Sequence, residues 1–571
     1  MDWKLKKKHA AVLERETGYV KKVWGTYNTV CLAYPNYYRT GMANLGFQTV
    51  YKIFNEQSSF LCERVFLPDP GDAAASNSGT AEIFSLENQK PIIEFDILAF
   101  SLSFENDYPN ILKMLDRAGI PLLAKDRSER YPLLIGGGIA PTLNPEPLAD
   151  FFDLFILGEA EEVLPQFCRY FEEARRLGHE RRNLLKNLQT KINNIYVPDL
   201  YDVKYSIEGK IQSIKPCESG LPEKIKIKYI KDINSFYTEE VISAPQTEME
   251  DMFLVEVNRG CARSCRFCAA SFVYRPVRFR NKADIIASID RGLERKKKVG
   301  LVGTAVSDHP ELIHICEHVI GQGAQAGLGS LRIDRINEET VNLIKANGIE
   351  TVALAPEAGS QKMRDLLRKG ITETDIINAI ELLVEKEITS LRLYFMVGLP
   401  EEEEKDIDAI IELVKKIQHH ILHFFKGKKK FRRITLSINQ FIPKPKTPLQ
   451  WCALADVHDT GKRIKKIKNA FSQDKQIKVI HDVPKWNYIQ ALLSLGDRRV
   501  SEILLAVNRL EENWAQALKE VNINPDFYVY RQKQLDEILP WDIIDLGVSK
   551  EALMSEYKKA LEETIPSAFF G

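Results

Sequence analysis

Short apolar runs alternate with helical patterns from about residue 26 to 178. TVCLAY at 29–34 reads as a buried strand, with a helix following from Met42 to Glu56. FDILAFSLS at 95–103 repeats the unit, with a helix from about Asn106 to Ala118. YPLLIGGG at 131–138 and FFDLFILGEAEE at 151–162 continue it, the latter running into a helix through Arg176. Strands and helices alternating at this spacing predict βαβ units and a parallel sheet covered on both faces. Ligands of such sheets sit beyond the carboxyl ends of the strands. Those ends carry Ser101 and Ser103, the run Gly136, Gly137 and Gly138, and Gly158 with Glu159. Glycines there let a backbone pass close to a ligand, because no Cβ intervenes. A tight turn is the plainer explanation of three glycines, but three such strand ends favour a ligand-binding crevice.

Between 180 and 250 the pattern weakens. YDVKYSIEGKIQSIKP predicts a hairpin turning at Glu208 and Gly209, and a polar stretch ending near SAPQTEME predicts a connector between domains. The β/α alternation then restarts, with strands at 253–260, 299–306, 327–334, 350–360, 389–400 and 434–443. Six successive βα units suit an open, incomplete barrel whose chemistry lies at the carboxyl ends of its strands. The last 120 or so residues are mostly helical by pattern and contain no motif tied to chemistry. The expected architecture is α/β: an N-terminal extension (1–25), a doubly wound Rossmann-like domain (26–180), a connector with a hairpin (181–251), a partial (β/α)6 TIM-type barrel (252–450) and a helical C-terminal domain (451–571).

Composition narrows the function classes. Across 571 residues, Lys plus Arg and Asp plus Glu are both 79, so there is no global field for gathering polyanions. No apolar run approaches the roughly 18 residues that a membrane span needs. The amino terminus, MDWKLKKKHAAVLERE, has no apolar core of a signal peptide, so a cytoplasmic location is expected. Nine cysteines, an odd number in a long chain, argue against a disulfide framework and for a reducing compartment. Six of them (Cys31, Cys62, Cys168, Cys217, Cys316 and Cys452) stand alone and read as small hydrophobes.

The other three are different. Cys261, Cys265 and Cys268 form CARSCRFC directly after the first strand of the second β/α region. A structural zinc site calls for four protein ligands, and no second cysteine knuckle occurs. A 4Fe-4S cluster also commonly takes four cysteines, so three thiolates leave one iron open to a substrate or cofactor. Three cysteines on a core helix would be the plain alternative, but Gly260 and the interleaved Arg259, Arg263 and Arg266 make a poor core.

This CxxxCxxC, with Phe267 just before its last cysteine, resembles the signature of the radical SAM superfamily, and the resemblance covers roughly 252–450. It implies a 4Fe-4S cluster held by the three cysteines, with S-adenosylmethionine chelated on the fourth iron and cleaved to a 5′-deoxyadenosyl radical. VGTAV, with Gly303 and Thr304, stands where the family often has GGE, the contact for the methionine amine. APEAGSQKMRDLLRKG resembles the fourth-strand motif and implies that Glu357 contacts the bound S-adenosylmethionine. YFMVGLPEEEEKD resembles the fifth-strand turn, with Gly398 and Pro400 near the adenine, and Ser330 and Arg332 are added as contacts at the end of the third strand.

A doubly wound sheet followed by such a barrel looks like the cobalamin-binding-domain class of the superfamily, in an uncharacterised branch. YPNYYRTGMANLGFQTVY, GGGIAPTLNPEPLADF, FILGEAEE and FIPKPKTPLQW carry this resemblance over most of 26–455. It implies a methyltransferase acting on an unactivated carbon, with cobalamin as a further cofactor and an electron donor such as flavodoxin or ferredoxin. The chain departs from the class in lacking DxHxxG, since residues 1–250 hold only His9 and His179. That leaves open a corrin without a histidine ligand, or cobalamin-independent rearrangement, cyclisation or sulfur insertion, RNA modification, or a non-catalytic iron-sulfur module.

Three weaker signals add little. GQGAQAG at 321–327 has the wrong spacing for a dinucleotide fingerprint and reads as a loop. His419, His420 and His423 lie at helical spacing without a third ligand in view. FKGKKKFRR at 425–433 is the densest basic run, with a solvated loop as its plain reading and RNA phosphate as the alternative. A small-molecule, lipid or peptide substrate is therefore favoured over RNA.

Overall fold

Strand β1 (Asn28–Tyr34) runs buried along nearly its whole length, as a continuous apolar run requires of a strand covered on both faces. It lies between β2 (Phe60–Phe66) and β3 (Ile97–Ser101), and the sheet continues through β4 (Leu133–Gly137), β5 (Leu154–Ile156) and β6 (Ile195–Tyr196). The pairs are parallel from β2 to β5, and β6 closes the edge antiparallel. The order β2-β1-β3-β4-β5-β6 reverses direction at β1/β3, so the crevice of this doubly wound sheet lies at the carboxyl ends of those two strands. The computed structural model describes residues 3–69, 71, 83–249, 251–329, 331–424 and 431–562. They fall into two units: 1–250 with 492–525 and 536–547, and 251–491 with 526–535 and 548–571.

The sequence pattern does not show β2, and the reason is its chemistry. FLCERVF carries Glu63 and Arg64 at its centre, which break an apolar run, yet both are fully buried. Arg64 donates through Nη2 to Glu16 Oε2 (2.6 Å) and through Nε to Glu87 Oε1 (2.7 Å), and Glu63 accepts from Trp24 Nε1 at 2.7 Å. Because Glu16 lies in the stretch expected to be an extension, residues 1–25 are bound into the first unit. The helix Trp3–Leu13 precedes it, and Thr17 bridges to Ser243.

Residues 181–250 of the expected connector also belong to this unit rather than standing apart. Its hairpin is present, β7 (Tyr201–Tyr205) against β8 (Ile211–Pro216), turning through Gly209 at φ +81°. A short β9 (Ile225–Lys226) follows.

In the second unit, β10 (Met252–Arg259) pairs antiparallel with β11 (Arg278–Phe279) and parallel with β12 (Lys298–Gly303), which pairs with β13 (Gln325–Gly327). A second parallel run comprises β14 (Thr351–Glu357), β15 (Ser390–Val397), β16 (Arg433–Gln440) and β17 (Ile477–His481). The bridge Leu331–Leu354 joins the two runs in parallel register. This half-barrel therefore has seven parallel strands, not six. β17 comes from the part expected to be helical, and the third strand is shorter and earlier than GLGSLRID implied, with residues 333–335 turning into a 3-10 helix.

Alternation along β14 and β15 separates the two faces of the half-barrel. Val352, Leu354, Leu391, Leu393, Phe395 and Val397 pack with the surrounding helices in one apolar core. The intervening Ala353, Ala355, Arg392, Tyr394 and Met396 point to the other face and stay partly exposed. That face is the concave side of the sheet.

The last 120 residues do not form one domain. The 492–525 segment is held in the first unit, where Asn144 Nδ2 donates to the carbonyls of Ser494 (3.0 Å) and Gly496 (2.8 Å), and Arg498 Nε to Glu146 Oε2 (2.9 Å). β18 (Ile544–Asp545) pairs with β9 in the same unit, whereas the helix Lys550–Glu562 belongs to the second. Amphipathic periodicity reports that a helix has a buried face, not which partner covers it.

Candidate functional site

The cysteine loop leaves β10 through Gly260, at φ +85°. A Cβ there would stand 2.1 Å from the Tyr274 carbonyl oxygen, so no other residue fits without displacing the loop. Asn258 on the same strand donates Nδ2 to the Gly260 carbonyl at 3.1 Å, while its buried Oδ1 has no partner. Cys261 and Cys265 are buried and Cys268 half-buried, all three as free thiols. The Cys268 N–H donates to the Cys265 carbonyl (3.1 Å), which starts the turn leading into the helix Ala270–Val273. We expect Gly260→Ala to cost ~2 kcal/mol or more and to lower iron retention, as read by a melting curve and an iron assay. Wild-type values in both would contradict this account of the loop.

The arginines that make CARSCRFC a poor core helix instead brace the loop. Arg263 pairs with Asp308 (3.1 Å), beyond β12, and with Asp334 (3.1 Å), beyond β13. Arg259 and Arg280 both hold Glu256. The Arg275 guanidinium bonds Ser264 Oγ and the Ser271 carbonyl.

Several residues singled out from sequence converge here. Thr304 Oγ1 accepts the Gly260 N–H at 3.3 Å, and Gly303 lies against Asn258, with room for no Cβ. Glu357, at the end of β14, adopts the left-handed φ of +67° and bonds Lys369 Nζ at 2.9 Å. A non-glycine residue there stores strain, a frequent mark of a functional position. Burial pushes the Cys265 thiol up, while the Lys369 and Arg332 cations pull it back toward thiolate, so both lie beside the loop. Arg332 is itself bonded to Asp334 at 2.9 Å. Phe267 is half-buried within the loop. Ser330 lies outside the described residues.

The turn after β14 is fixed from below. Arg364 donates to the carbonyls of Ala358 and Gly359, Ser360 Oγ donates to Asp406 (2.6 Å), and Gly359 lies against the backbone of Ile410. Gly398 and Pro400 form the next turn, where the Gly398 N–H donates to Glu402 Oε2 at 2.7 Å. Glu402 is buried, which pushes its carboxyl up to about 7 against the pull of Gly398 and Arg463.

Sequence reasoning missed Lys369, Asn258 and the concave-face Arg392, Tyr394 and Met396. The strict alternation of SLRLYFMV was the signal available for the last three. Among the described residues, no three His, Cys, Asp or Glu side chains are gathered closely enough to hold a single metal ion. Three thiolates on three different irons of one cubane stand further apart than three on one ion. The donor set, three free thiols with cations beside Cys265 and no fourth cysteine, fits a cluster with one open iron rather than zinc.

In the first unit, the glycines assigned to a ligand serve the sheet itself. A Cβ on Gly136 would meet the Phe155 ring at 2.6 Å, and one on Gly138 the Leu102 carbonyl oxygen at 2.4 Å. Gly137 is close to the Ile156 carbonyl. The Gly158 N–H bonds Thr142 Oγ1, and Glu159 takes the Ile230 N–H at 2.7 Å. Ser101 is half-buried at the end of β3, and Ser103 Oγ accepts from Asn44 Nδ2 at 3.1 Å.

The unsatisfied chemistry lies instead at the β1/β3 switch. Asn36 Nδ2 donates to Asp107 Oδ1 (2.8 Å), the buried Asn106 Oδ1 and Tyr108 OH have no partner, and Phe104 is 43% exposed. Burial, with Glu105 nearby, pushes Asp107 up to about 6. A carboxyl whose folded pKa is raised favours folding at low pH and loses that contribution as pH rises through the folded value. Asp107→Asn is therefore expected to gain on the order of 2 kcal/mol at pH 8 and nothing below pH ~4, by urea unfolding. An equal effect at both pH values would contradict this placement.

A cavity of about 110 Å³ also lies in the first unit, lined by Leu5, His9, Tyr38, Arg64, Phe66 and Phe84 among others. It is remote in sequence from the cysteine loop and carries none of its chemistry.

Two family models match the chain: radical SAM proteins, N-terminal, over 46–198, and the radical SAM superfamily over 255–414. An uncharacterised protein of Methanocaldococcus jannaschii is 29% identical over 481 residues, covering 83% of this chain and 90% of that protein. The threonylcarbamoyladenosine tRNA methylthiotransferase MtaB of Aquifex aeolicus is 26% identical over 190 residues, 30% of this chain and 44% of that enzyme. The chain thus spans less than half of that relative. The solved cobalamin-dependent S-adenosylmethionine radical enzyme OxsB, with aqua-cobalamin and S-adenosylmethionine bound, aligns at 12% identity and TM-score 0.45 over 94% of this chain and 80% of that one.

Proposed function

We propose that this chain, which two radical SAM family models match over 46–198 and 255–414, holds one 4Fe-4S cluster on Cys261, Cys265 and Cys268, at which S-adenosylmethionine is reductively cleaved. The single observation that carries the reading is the braced three-cysteine loop beside Lys369, Arg332 and Glu357 at the carboxyl edge of a half-barrel. When bound, the cluster supplies the electron that cleaves S-adenosylmethionine to a 5′-deoxyadenosyl radical.

The chain's own residues account for the rest. Glu357 and Lys369 present a carboxylate and an ammonium side by side, which matches the amino and carboxylate ends of a methionine moiety. Thr304 steadies Gly260 at the root of the loop. Glu402 and Arg463 hold the Gly398 turn in the shape expected to receive adenine. The half-exposed Ala353, Ala355, Tyr394 and Met396 give the concave face an apolar floor for a substrate.

For the step after cleavage, methyl transfer to an unactivated carbon is the favoured reading. It rests on the switch-point crevice of the first unit, whose Ser103, Phe104 and Asn106 offer polar and apolar contacts beyond the sheet. Methylcobalamin, when bound, would supply the methyl group. Neither His9, on the first helix, nor His179, beyond the helix Val163–Arg176, lies at a strand end, so the corrin would be held without a cobalt-histidine bond. Protein purified from cobalamin-fed cells should show a corrin visible spectrum. Preparations that never retain corrin would favour rearrangement, cyclisation or sulfur insertion.

The substrate we favour is a small molecule, lipid or peptide. Net charge is zero, and of the 425–433 basic run Lys428, Lys429 and Lys430 lie outside the described residues while Arg432 is ion-paired with Glu350. Binding of bulk tRNA should be weak at physiological salt. Tight, strongly salt-dependent binding would instead point to RNA.

A further inference from the structure

Arg266 sits between two of the cluster cysteines, and its surroundings are unlike those of the other arginines in the loop. Its side chain is 3% exposed. Its backbone N–H donates to the Leu367 carbonyl (3.0 Å), and Nη1 donates to the carbonyls of Asp365 (3.1 Å) and Leu366 (3.1 Å). These carbonyls end the helix Gln361–Leu366, which follows the Glu357 turn. Leu449 in turn donates its N–H to the Arg266 carbonyl (3.4 Å), which ties in the turn Pro448–Trp451. Backbone carbonyls orient the guanidinium. The Glu556 carboxylate pairs with it, Oε2 lying 3.3 Å from Nε.

Glu556 lies on the helix Lys550–Glu562, almost 300 residues away in sequence, and the same oxygen takes Arg368 Nη1 at 3.1 Å. This helix is seated on the loop's supports. The Tyr557 ring packs against Trp451 (centroids 5.6 Å apart), Gln532 bonds Tyr557 OH at 2.8 Å, and Tyr557 shares a hydrogen bond with the buried Cys452. Burial pushes the Glu556 carboxyl up, but Lys559, Arg368 and Arg266 outweigh that and hold it below its ordinary range. It therefore stands as an anion beside the loop at neutral pH.

We propose that the C-terminal helix completes the cluster site, with Glu556 as a positioning residue that acts through Arg266. Glu556 fixes the side chain of Arg266, the residue that follows Cys265, and sets the charge around the cluster. The inference rests on the reading of the three cysteines given above. Outer partners of metal ligands hold those ligands in place, and local charge and solvent access set the potential of an iron-sulfur cluster. A fixed anion near the cluster disfavours adding an electron, so its removal should make reduction easier.

The test uses the full chain, reconstituted anaerobically, with reduction potential read by redox titration of the cluster's EPR signal and lability read as the half-life of its visible absorbance in air. Glu556→Gln is expected to retain about four irons, to shift the potential in the positive direction and to shorten the half-life several-fold. Glu556→Asp should restore part of both. Arg368→Gln, which removes a cation from the same oxygen, should shift the potential the opposite way. Unchanged potential and lability in both Glu556→Gln and Arg368→Gln, or shifts of the same sign, would overturn it. Wild-type protein that takes up no iron would instead contradict the reading of the cysteines, so the two failures are distinguishable.

Discussion

Cys265→Ala is expected to reduce the iron content of the reconstituted protein from about four per chain to near zero and to abolish S-adenosylmethionine cleavage, not merely slow it. Cys265 is the most enclosed of the three thiols and stands beside Lys369 and Arg332, which favour its thiolate against the cost of burial. Two remaining thiolates leave two irons of a cubane without protein ligands, and no nearby cysteine can substitute. Cys261→Ala and Cys268→Ala should follow the same course. Cys316→Ala serves as the control. Burial pushes that thiol up to about 12, and it packs in the apolar core of the second unit, so it should keep its iron and lose only about 1–2 kcal/mol of stability. Iron retained in Cys265→Ala, or lost in Cys316→Ala, would contradict the assignment.

The largest effect on stability is expected at Arg64, in the first unit. Replacing it with methionine keeps most of the volume but strands Glu16 and Glu87, both with fully buried side chains, without their counter-charge. Removing one partner of such a buried group costs roughly 3–5 kcal/mol. The deficit should depend on pH. Burial already pushes the Glu87 carboxyl up, and Arg64 pulls it back, so losing the arginine raises it further. A raised carboxyl stabilises the fold only while protonated, and the contribution is lost as pH rises through the folded value. The Arg64→Met deficit should therefore grow between about pH 5 and pH 8 by urea titration. A deficit under 1 kcal/mol, or one that shrinks over that range, would contradict the account of this cluster.

Arg64 also shows why part of the fold escaped the sequence. FLCERVF is a strand whose central Arg64 is paired with Glu16 and Glu87 and whose Glu63 accepts from Trp24, all residues outside the strand, and a local pattern cannot register such compensation. Most of the strands that were legible are near-continuous apolar runs or alternations. β17 was obscured because IKVIH sits among helical patterns and gains its place only by pairing with β16. The site divides the same way. Cys261, Cys265 and Cys268 could be proposed from residue type and spacing, and Glu357 through the resemblance of its motif. Lys369, Arg266 and Glu556 could not, because the roles proposed for them depend on separate strands and helices meeting. The glycines of β4 also answer to packing, since a side chain on Gly136 or Gly138 would meet Phe155 or Leu102.

The most direct test is to reduce the anaerobically reconstituted full chain with dithionite in the presence of S-adenosylmethionine and to measure 5′-deoxyadenosine by chromatography. The account predicts 5′-deoxyadenosine and methionine in equal amounts from the wild type and none from Cys265→Ala. A wild-type protein carrying a complete cluster that releases no 5′-deoxyadenosine, or a Cys265→Ala protein that releases as much as wild type, would contradict it.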